Sequence, residues 1–284
     1  MPRPTVTSRV FAILNAFVPG EARLTLTQIS RRTGLPIATT HRLVGELTRS
    51  GGLEREPGGT YRIGVRLFEI GSLAPIGGGL RELAMPFMED LYEATHENVQ
   101  LAVLEGAEAL FLEKISGRSS VKIVTRVGGR LPLHATGVGK VLLGYAPSAV
   151  IDAVIGRGLP ALTDQTITDP DRLRRCLAEI RAQGFAWTRD EMTVGAMSIA
   201  APVFGPDAQV VAALSVVVAT QGGDVGRLAP SVKTAARGLS RQVTEWWDRM
   251  VPSAPGAAVP LGAAARTGRL SAQRNRGIAT DPGA

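Results

Sequence analysis

Polar side chains that can contact nucleic acid lie close together near residue 40, in the stretch LPIATTHRLVGELTRS. Arg42 can form hydrogen bonds with guanine edges or with phosphate, and Thr39 offers a hydroxyl and a methyl group. Ala38 is small enough to allow close approach, and His41 adds a further polar group. These residue types could read DNA if one side of a helix presented them together.

Two short helices joined by a tight turn are predicted to build this surface. Thr25 followed three residues later by Gln28 is a capping-box pattern that opens one helix, and Gly34 is placed to end it. A glycine-containing turn between short helices indicates a helix-turn-helix, whose second helix enters the major groove of DNA. The inward face of that second helix is predicted to contain Ile37, Thr40, Leu43, Val44 and Leu47.

A glycine-rich hairpin is predicted directly after this helix. Residues 53–56 and 60–63 have the pattern of two short strands around Pro57-Gly58-Gly59. Such a hairpin is typical of a winged helix-turn-helix, and arginines on it would suit contacts with phosphate or the minor groove. The predicted DNA-binding set is therefore Ala38, Thr39, Thr40, His41, Arg42, Arg55 and Arg62.

The positive charge of the chain is concentrated at its beginning. The formal net charge is +7, and residues 1–73 contain ten arginines against five glutamates. Residues 74–252 are nearly neutral, with 18 basic and 19 acidic side chains, and residues 253–284 contain four arginines and one aspartate. A basic N-terminal part on a neutral body favours a polyanion-binding domain joined to a domain with another task. The charge alone would equally fit a soluble basic surface.

The composition excludes several other classes of protein. Cys176 is the only cysteine, so there is no internal disulfide framework and there are too few thiolates for a structural zinc site. No apolar run approaches the roughly 20 residues that a bilayer crossing needs, and the N-terminus lacks a secretory apolar core. We therefore expect a soluble cytoplasmic protein that has no membrane association and no cofactor.

An enzyme is the least favoured class. The three histidines are His41, His96 and His134, and a Ser-His-acid site would have to combine His134 with Ser198 or Ser215. The nucleophile motif G-x-S-x-G does not occur in the sequence. The acidic pairs lack the clustered His or Cys ligands of a metal site. We expect neither catalysis nor a bound metal.

The body of the chain has the pattern of an α+β domain. The predicted strands are residues 98–106, 109–115, 121–127, 185–189, 197–204 and 209–218. The predicted helices are residues 80–97, 135–145, 148–155, 170–183 and 225–250. Together they predict a mixed sheet flanked by helices.

Two stretches of this body could bind a ligand. Gly137-Val138-Gly139 is placed where a loop enters a helix, so free backbone amides and the positive helix end could face an anion. Close packing of that helix on the sheet would explain the same glycines. Thr188 and Ser198 lie near strand ends, and Ser215 is a lone hydroxyl in an apolar strand that needs a hydrogen-bond partner. A structural role for each serine remains an alternative.

The sequence resembles the IclR-type bacterial transcriptional regulators. The resemblance is carried by LTLTQISRRTGLPIATTHRLVGELTRSGGLER followed by TYRIGVRLFEIGS, and it extends over about residues 5–250. It implies that the second helix of the helix-turn-helix reads double-stranded operator DNA as part of a homodimer or a dimer of dimers. The sign of regulation, repressor or activator, stays open.

The same resemblance implies a GAF-like domain that binds a small organic or aromatic acid. The positions that match the family's pocket are Leu131, Gly137, Val138, Thr188, Ser198 and Ser215. Members of the family have an acidic residue or a cysteine at some of these positions, whereas this chain has Thr188 and Ser198. Two alternatives remain: an enzyme built on a sensor-type domain, and an architectural DNA-binding protein that ignores small molecules.

The resemblance and the composition together predict four segments. These are a winged helix-turn-helix at residues 1–64, a linker helix and glycine hinge at 65–79, an effector-binding and oligomerisation domain at 80–250, and a disordered tail at 251–284. The helix after the hinge could pair subunits or could simply pack within the C-terminal domain.

Overall fold

The computed structural model describes residues 5–18, 20–73, 79–117 and 120–250. The chain falls into two compact units, Met1–Ala74 and Pro75–Ala284. The predicted linker helix therefore belongs to the first unit. Most of the predicted glycine hinge and the whole predicted tail lie outside the described residues.

The N-terminal unit contains four described helices and a small sheet. Its helices are α1 (Val6–Asn15), α2 (Leu26–Thr33), α3 (Ile37–Arg49) and α4 (Val65–Ser72). Its strands are β1 (Leu24–Thr25), β2 (Leu53–Arg55) and β3 (Thr60–Ile63), in the antiparallel order β1-β3-β2. The predicted helix-turn-helix and its wing are confirmed, and β1 is an additional strand that the sequence pattern did not indicate.

Local interactions explain where the helices of this unit begin and end. The Thr25 hydroxyl accepts a hydrogen bond from the Gln28 amide, and the Gln28 side chain accepts one from the Thr25 amide at 2.8 Å. Gly34 ends α2 with φ of 67°, a left-handed conformation that glycine adopts without steric cost. The core behind the helices includes Ile13, Ile29 and Leu43. Ile37 is 51% exposed, so its predicted place on the inward face is wrong.

The C-terminal unit is a six-stranded sheet with helices on both faces. Its strands are β4 (Asn98–Glu105), β5 (Glu108–Ile115), β6 (Arg130–Pro132), β7 (Ala186–Arg189), β8 (Ala196–Phe204) and β9 (Val210–Ala219). Its helices are α5 (Leu80–Thr95), α6 (Gly137–Gly144), α7 (Ser148–Gly156), α8 (Pro170–Gln183) and α9 (Val225–Met250). The α+β class is confirmed.

The strand order is β6-β5-β4-β9-β8-β7, and each of these pairings is antiparallel. The sheet is therefore antiparallel over the described residues and not mixed, as the sequence pattern suggested. Short connections explain the difference, because β4–β5, β7–β8 and β8–β9 each join neighbouring strands of the sheet.

Side chains alternate between the two faces of the sheet, so the unit has one hydrophobic core on each face. Val99 and Leu101 of β4 pack in the same cluster as residues of α5 and α9. Ala102 faces the other way and packs with residues of α6, α7 and α8. Gln100 and Ser215 share the face of Ala102, since Gln100 lies directly opposite Ser215 in the β4–β9 register. Both polar side chains are therefore buried on the α6 side of the sheet.

The predicted strand at residues 121–127 is wrong, because this segment has no regular secondary structure. The hydrogen bonds to the edge of β5 come later in the chain, where the Gly128 amide donates to the Phe111 carbonyl at 2.8 Å. The edge strand itself is β6, which pairs with β5 at Ala109 and Leu131. Three consecutive residues of this segment, Ile123, Val124 and Thr125, instead line a cavity in the same unit.

Candidate functional sites

The predicted DNA-contacting face of α3 is largely exposed. Ala38, His41 and Arg42 are exposed, and Thr39 is half-buried. Thr40 is an exception, because it is fully buried and its hydroxyl donates to the Pro36 carbonyl at 3.1 Å. Its place in the predicted DNA-binding set is wrong, because it lies one turn before Val44 on the inward side of the helix.

Arg42 is paired with an acidic neighbour on its own helix. Its Nη1 donates to Glu46 Oε1 at 2.7 Å, and the two side chains are 56% and 45% exposed. An exposed pair one helical turn apart is worth only about 0.3–0.5 kcal/mol. A phosphate or a guanine edge can therefore replace Glu46 at low cost.

The two wing arginines differ in their surroundings. Arg62 donates to Glu54 through Nε at 2.8 Å and through Nη2 at 2.6 Å. This hydrogen bond, followed by one from the Val65 amide, lowers the pKa of the Glu54 carboxyl. Arg55 is exposed and makes no ion pair within the described part of the chain. Arg55 is therefore the wing cation with more freedom to contact phosphate.

A cavity in the C-terminal unit brings together five of the six predicted effector residues. It has a volume of about 40 Å³ and lies between the start of α6, the sheet and segment 120–129, which we call the covering segment. The predicted residues in its wall are Leu131, Gly137, Val138, Thr188 and Ser198. Their role in ligand binding stays a prediction.

The first residues of α6, Gly137 and Val138, form part of the cavity wall. The Thr136 hydroxyl accepts from the Gly139 amide at 3.1 Å, and the Thr136 carbonyl accepts from the Lys140 amide at 2.9 Å. The amides of Gly137 and Val138 precede the first intrahelical bond and have no partner among the described residues. Two N–H groups and the positive end of the helix are thus free to bind an anion.

Gly137 also lets the helix approach the sheet closely. A Cβ atom at this position would lie 2.6 Å from Ser198 Oγ and 3.1 Å from Ser198 Cβ. Gly137 therefore allows close packing of α6 on the sheet, and this packing is compatible with the predicted anion site at the same helix end. The close approach places the Ser198 hydroxyl beside the first turn of α6.

Ser215 is not part of the cavity wall. It is fully buried in β9, and its hydroxyl has no hydrogen-bond partner among the described residues. Its cross-strand neighbour Gln100 does line the cavity and is only 3% exposed. Sequence reasoning missed Gln100, although a polar residue within the apolar strand VQLAVL is the same signal that singled out Ser215. Other missed wall residues are Phe111, Ile123, Val124, Thr125, Thr136, Met192 and Val217.

The described residues of the cavity wall include no charged side chain. Lys140 and Glu191 of the same unit form a buried ion pair, in which Nζ and Oε1 are 2.6 Å apart. Glu191 begins the loop that presents Met192 and Thr193 to the cavity, and its carbonyl accepts from the Thr166 hydroxyl at 2.7 Å. The ion pair thus stabilises the loop that contains Met192 and Thr193, while neither charged side chain lines the cavity.

Neither His134 nor Cys176 belongs to this wall. His134 Nε2 lies 3.0 Å from the Pro160 carbonyl oxygen. Burial raises the pKa of the Cys176 thiol, which keeps it protonated near neutrality. Among the residues that the structure describes, no three His, Cys, Asp or Glu side chains form a metal-binding group, and no helix could span a membrane.

The fold and the sites together define a winged helix-turn-helix protein with a second domain that contains a small cavity. A family model described as the IclR helix-turn-helix domain matches residues 6–57. A second, described as the bacterial transcriptional regulator IclR C-terminal domain, matches residues 77–241. The chain belongs to the IclR family of bacterial transcriptional regulators, and the predicted family is confirmed.

Relatives with known names match over most of their length. The HTH-type transcriptional regulator XynR of Escherichia coli is 32% identical over 246 residues, which cover 85% of this chain and 98% of that protein. The HTH-type transcriptional regulator KipR of Bacillus subtilis is 33% identical over 236 residues, with 82% and 94% covered. These relatives are transcriptional regulators.

Solved structures agree with this assignment. An IclR homolog from Microbacterium hydrocarbonoxydans, crystallised with 4-hydroxybenzoate, has a TM-score of 0.79 at 36% identity and covers 84% of this chain and 99% of its own. The Thermotoga maritima IclR has a TM-score of 0.70 at 25% identity, with 84% and 98% covered. The predicted order of a winged helix-turn-helix and a GAF-like effector-binding domain is confirmed.

Proposed function

We propose that this regulator binds operator DNA through α3 and the wing, and that a small organic or aromatic acid in the cavity modulates this binding. The observation that carries the proposal is the cavity itself, with its free amides at Gly137 and Val138 beside the Ser198 hydroxyl. The bound 4-hydroxybenzoate in the Microbacterium homolog supports the same class of ligand.

The acid binds with its carboxylate at the start of α6. Two backbone amides and the helix end stabilise the negative charge there, while the Thr188 and Ser198 hydroxyls stand in the same wall. The ring or chain of the acid packs against apolar wall residues such as Phe111, Val138 and Val217. The described wall contains no cation, so the helix dipole and the N–H and O–H groups attract the carboxylate.

Binding of an aromatic acid requires the cavity to expand. Its volume of about 40 Å³ is well below the roughly 150 Å³ of a cavity that binds benzene. The covering segment is the element that can move, because it has no regular secondary structure and contributes Ile123, Val124 and Thr125 to the wall. The bound ligand lies between these side chains and the sheet, and takes over part of the packing between them.

A homodimer, or a dimer of dimers, is the proposed assembly. Helix α4 has no buried residue, and its apolar side chains are Val65 at 62%, Phe68 at 76% and Ile70 at 55% exposure, followed by Leu73 at 82%. Apolar side chains this exposed favour burial against a second copy. Two recognition helices on a pseudo-palindromic operator then multiply specificity.

The proposed role is regulatory and not catalytic, with no cofactor or metal. It places the protein in the cytoplasm, where bacterial operators lie. An enzyme with a sensor-type domain would convert the acid without DNA, so the acid recovered from a long incubation would be altered. An architectural DNA-binding protein would bind duplexes with the same affinity in the presence and absence of every acid.

Thermal-shift and calorimetric titration with 4-hydroxybenzoate and related acids test the cavity. Ser198→Leu should abolish binding, because the larger side chain fills the space beside Gly137. Ser148→Leu is the matched control, since Ser148 is exposed at the start of α7. Binding that survives Ser198→Leu unchanged would place the ligand elsewhere. A gel shift on the promoter next to the gene should respond to the acid in the wild type only.

A further inference from the structure

Two buried polar side chains on the α6 side of the sheet each have an atom without a hydrogen-bond partner among the described residues. Gln100 is 3% exposed and Ser215 is fully buried, and neither Gln100 Nε2 nor Ser215 Oγ has a partner among the described residues. The two residues lie directly opposite each other on β4 and β9. Unpaired buried polar groups cost stability and are rare in native proteins, so a neighbouring pair calls for an explanation.

Only one of the two can reach a ligand. Gln100 is part of the cavity wall, whereas Ser215 is not. Directly opposite residues in a sheet have Cβ atoms about 4.5–5.5 Å apart. The Ser215 hydroxyl can therefore support the Gln100 carboxamide from the neighbouring strand once that carboxamide turns toward a ligand.

The position of Gln100 separates it from the proposed carboxylate site. Gly137 places the start of α6 against Ser198 on β8, while Gln100 lies on β4 with β9 between them. Two strand spacings amount to roughly 10 Å across the sheet. Gln100 therefore meets the end of the ligand that lies away from its carboxylate.

The carboxamide of Gln100 favours one kind of group at the end of the ligand opposite its carboxylate. A carboxamide offers an N–H donor and an oxygen acceptor, which a neutral hydroxyl can satisfy at once. A methyl group would leave the buried carboxamide unpaired. A second carboxylate would be buried without a cation, because the described wall residues include no charged side chain.

We propose that Gln100 is the specificity-determining residue of this cavity, and that it selects monocarboxylic acids with a neutral hydroxyl at the end opposite the carboxylate. The inference rests on the proposed function of the cavity. It adds the chemical identity of the far end of the effector and names the residue that reads it.

Titration calorimetry of the full-length protein with three probes tests the inference. The probes are 4-hydroxybenzoate, 4-methylbenzoate and terephthalate, which differ only in the group opposite the carboxylate. The wild type should prefer the hydroxyl over the methyl compound by roughly tenfold to a hundredfold and reject terephthalate. Gln100→Leu should bring the ratio of the first two affinities close to one.

A stability measurement separates recognition from a structural role. Without ligand, Gln100→Leu and the more flexible Gln100→Met should unfold at the same or a higher temperature, because each removes an unpaired buried group. A residue kept for structure would give the opposite result. Ser215→Ala should weaken the hydroxyl preference less than either Gln100 variant does.

The failures of the two proposals are distinguishable. If the wild type binds none of the probes, the proposed effector function falls, and this inference falls with it. If the wild type binds an aromatic acid but Gln100→Leu and Gln100→Met keep the full hydroxyl preference, only the role of Gln100 is overturned. Equal wild-type affinity for all three probes would overturn it as well.

Discussion

One ion pair from each unit shows how widely such pairs can differ in their exposure to water. In the N-terminal unit, Arg42 and Glu46 are 56% and 45% exposed at a separation of 2.7 Å. In the C-terminal unit, the side chains of Lys140 and Glu191 are 1% and 11% exposed at 2.6 Å. Nearly identical distances therefore describe pairs with very different energetics.

The difference shows what each pair can be used for. Water and salt screen an exposed pair, so a phosphate can take the place of the glutamate at little cost. A buried pair cannot exchange partners, because either charge left alone would be strongly destabilising. Under the proposed function, the first kind of pair keeps a cation available for DNA, and the second keeps a wall of the cavity in one position.

The largest effect should come from breaking the buried pair. Lys140→Met should lower the free energy of unfolding by about 3–5 kcal/mol, because Glu191 is left buried without a cation. Urea denaturation followed by tryptophan fluorescence measures this change. The double variant Lys140→Met with Glu191→Leu should recover most of the loss. Arg174→Met is the control, since it removes an exposed pair with Asp152 and should cost under about 1 kcal/mol. Similar losses of unfolding free energy for Lys140→Met and Arg174→Met would show that burial does not make the Lys140–Glu191 pair more important for stability.

Removing the exposed cation should act on DNA binding and leave the fold intact. Arg42→Ala should weaken operator binding by about 1–3 kcal/mol, the range for an arginine that contacts base edges. Gel shifts on the promoter next to the gene provide the measurement. Arg174→Ala removes the same charge from an exposed site in the C-terminal unit and should leave binding nearly unchanged. Equal binding by the two variants would contradict the assignment of α3 as the recognition helix.

Removing the acidic partner should have a smaller effect of opposite sign. Glu46→Gln frees Arg42 from its 2.7 Å contact and should strengthen DNA binding by about 0.5 kcal/mol, or roughly twofold. Affinities measured over a range of salt concentrations should show a steeper salt dependence than the wild type. Weaker binding by this variant would mean that Glu46 itself helps to position the helix on DNA.

The smallest effect concerns the wing at low pH. The hydrogen bond from Arg62 lowers the pKa of Glu54 from its ordinary value of 4.5. A lowered folded-state pKa contributes stability above pH 4.5, and this contribution disappears as the pH falls through the lowered value. NMR titration should show Glu54 moving back toward its ordinary pKa in Arg62→Ala. Arg55→Ala should leave the titration of Glu54 unchanged, and a shift of equal size there would show that general charge and not the contact is responsible.

Local signals made the N-terminal unit readable from the sequence. The cap at Thr25 and Gln28, the left-handed turn at Gly34 and the wing glycines each act within a few residues. The failures there concern side-chain direction. Thr40 belongs to two predicted groups, the inward face of the helix and the DNA-binding set, and these two predictions conflict. The helix period alone places its side chain inward, and the residue is buried.

Long-range pairing limited the prediction of the C-terminal unit. Residues 121–127 alternate like a strand, yet the edge of β5 is occupied by Gly128 and by β6. No local pattern reveals which segment takes that edge. The start of α6 is predicted to bind an anion for a local reason, because the beginning of a helix has the same free amides in any fold. Gln100 is a polar residue in an apolar strand, but its place in the cavity wall and opposite Ser215 depends on long-range strand pairing.

The small volume of the cavity has a kinetic consequence. Under the proposed function, a ring that binds in a space of about 40 Å³ requires the covering segment to move away from the sheet during binding. The observed association rate of the acid should therefore level off as its concentration rises, at the rate constant for opening. Stopped-flow mixing would then report the internal motion of the regulator and not the frequency of collisions.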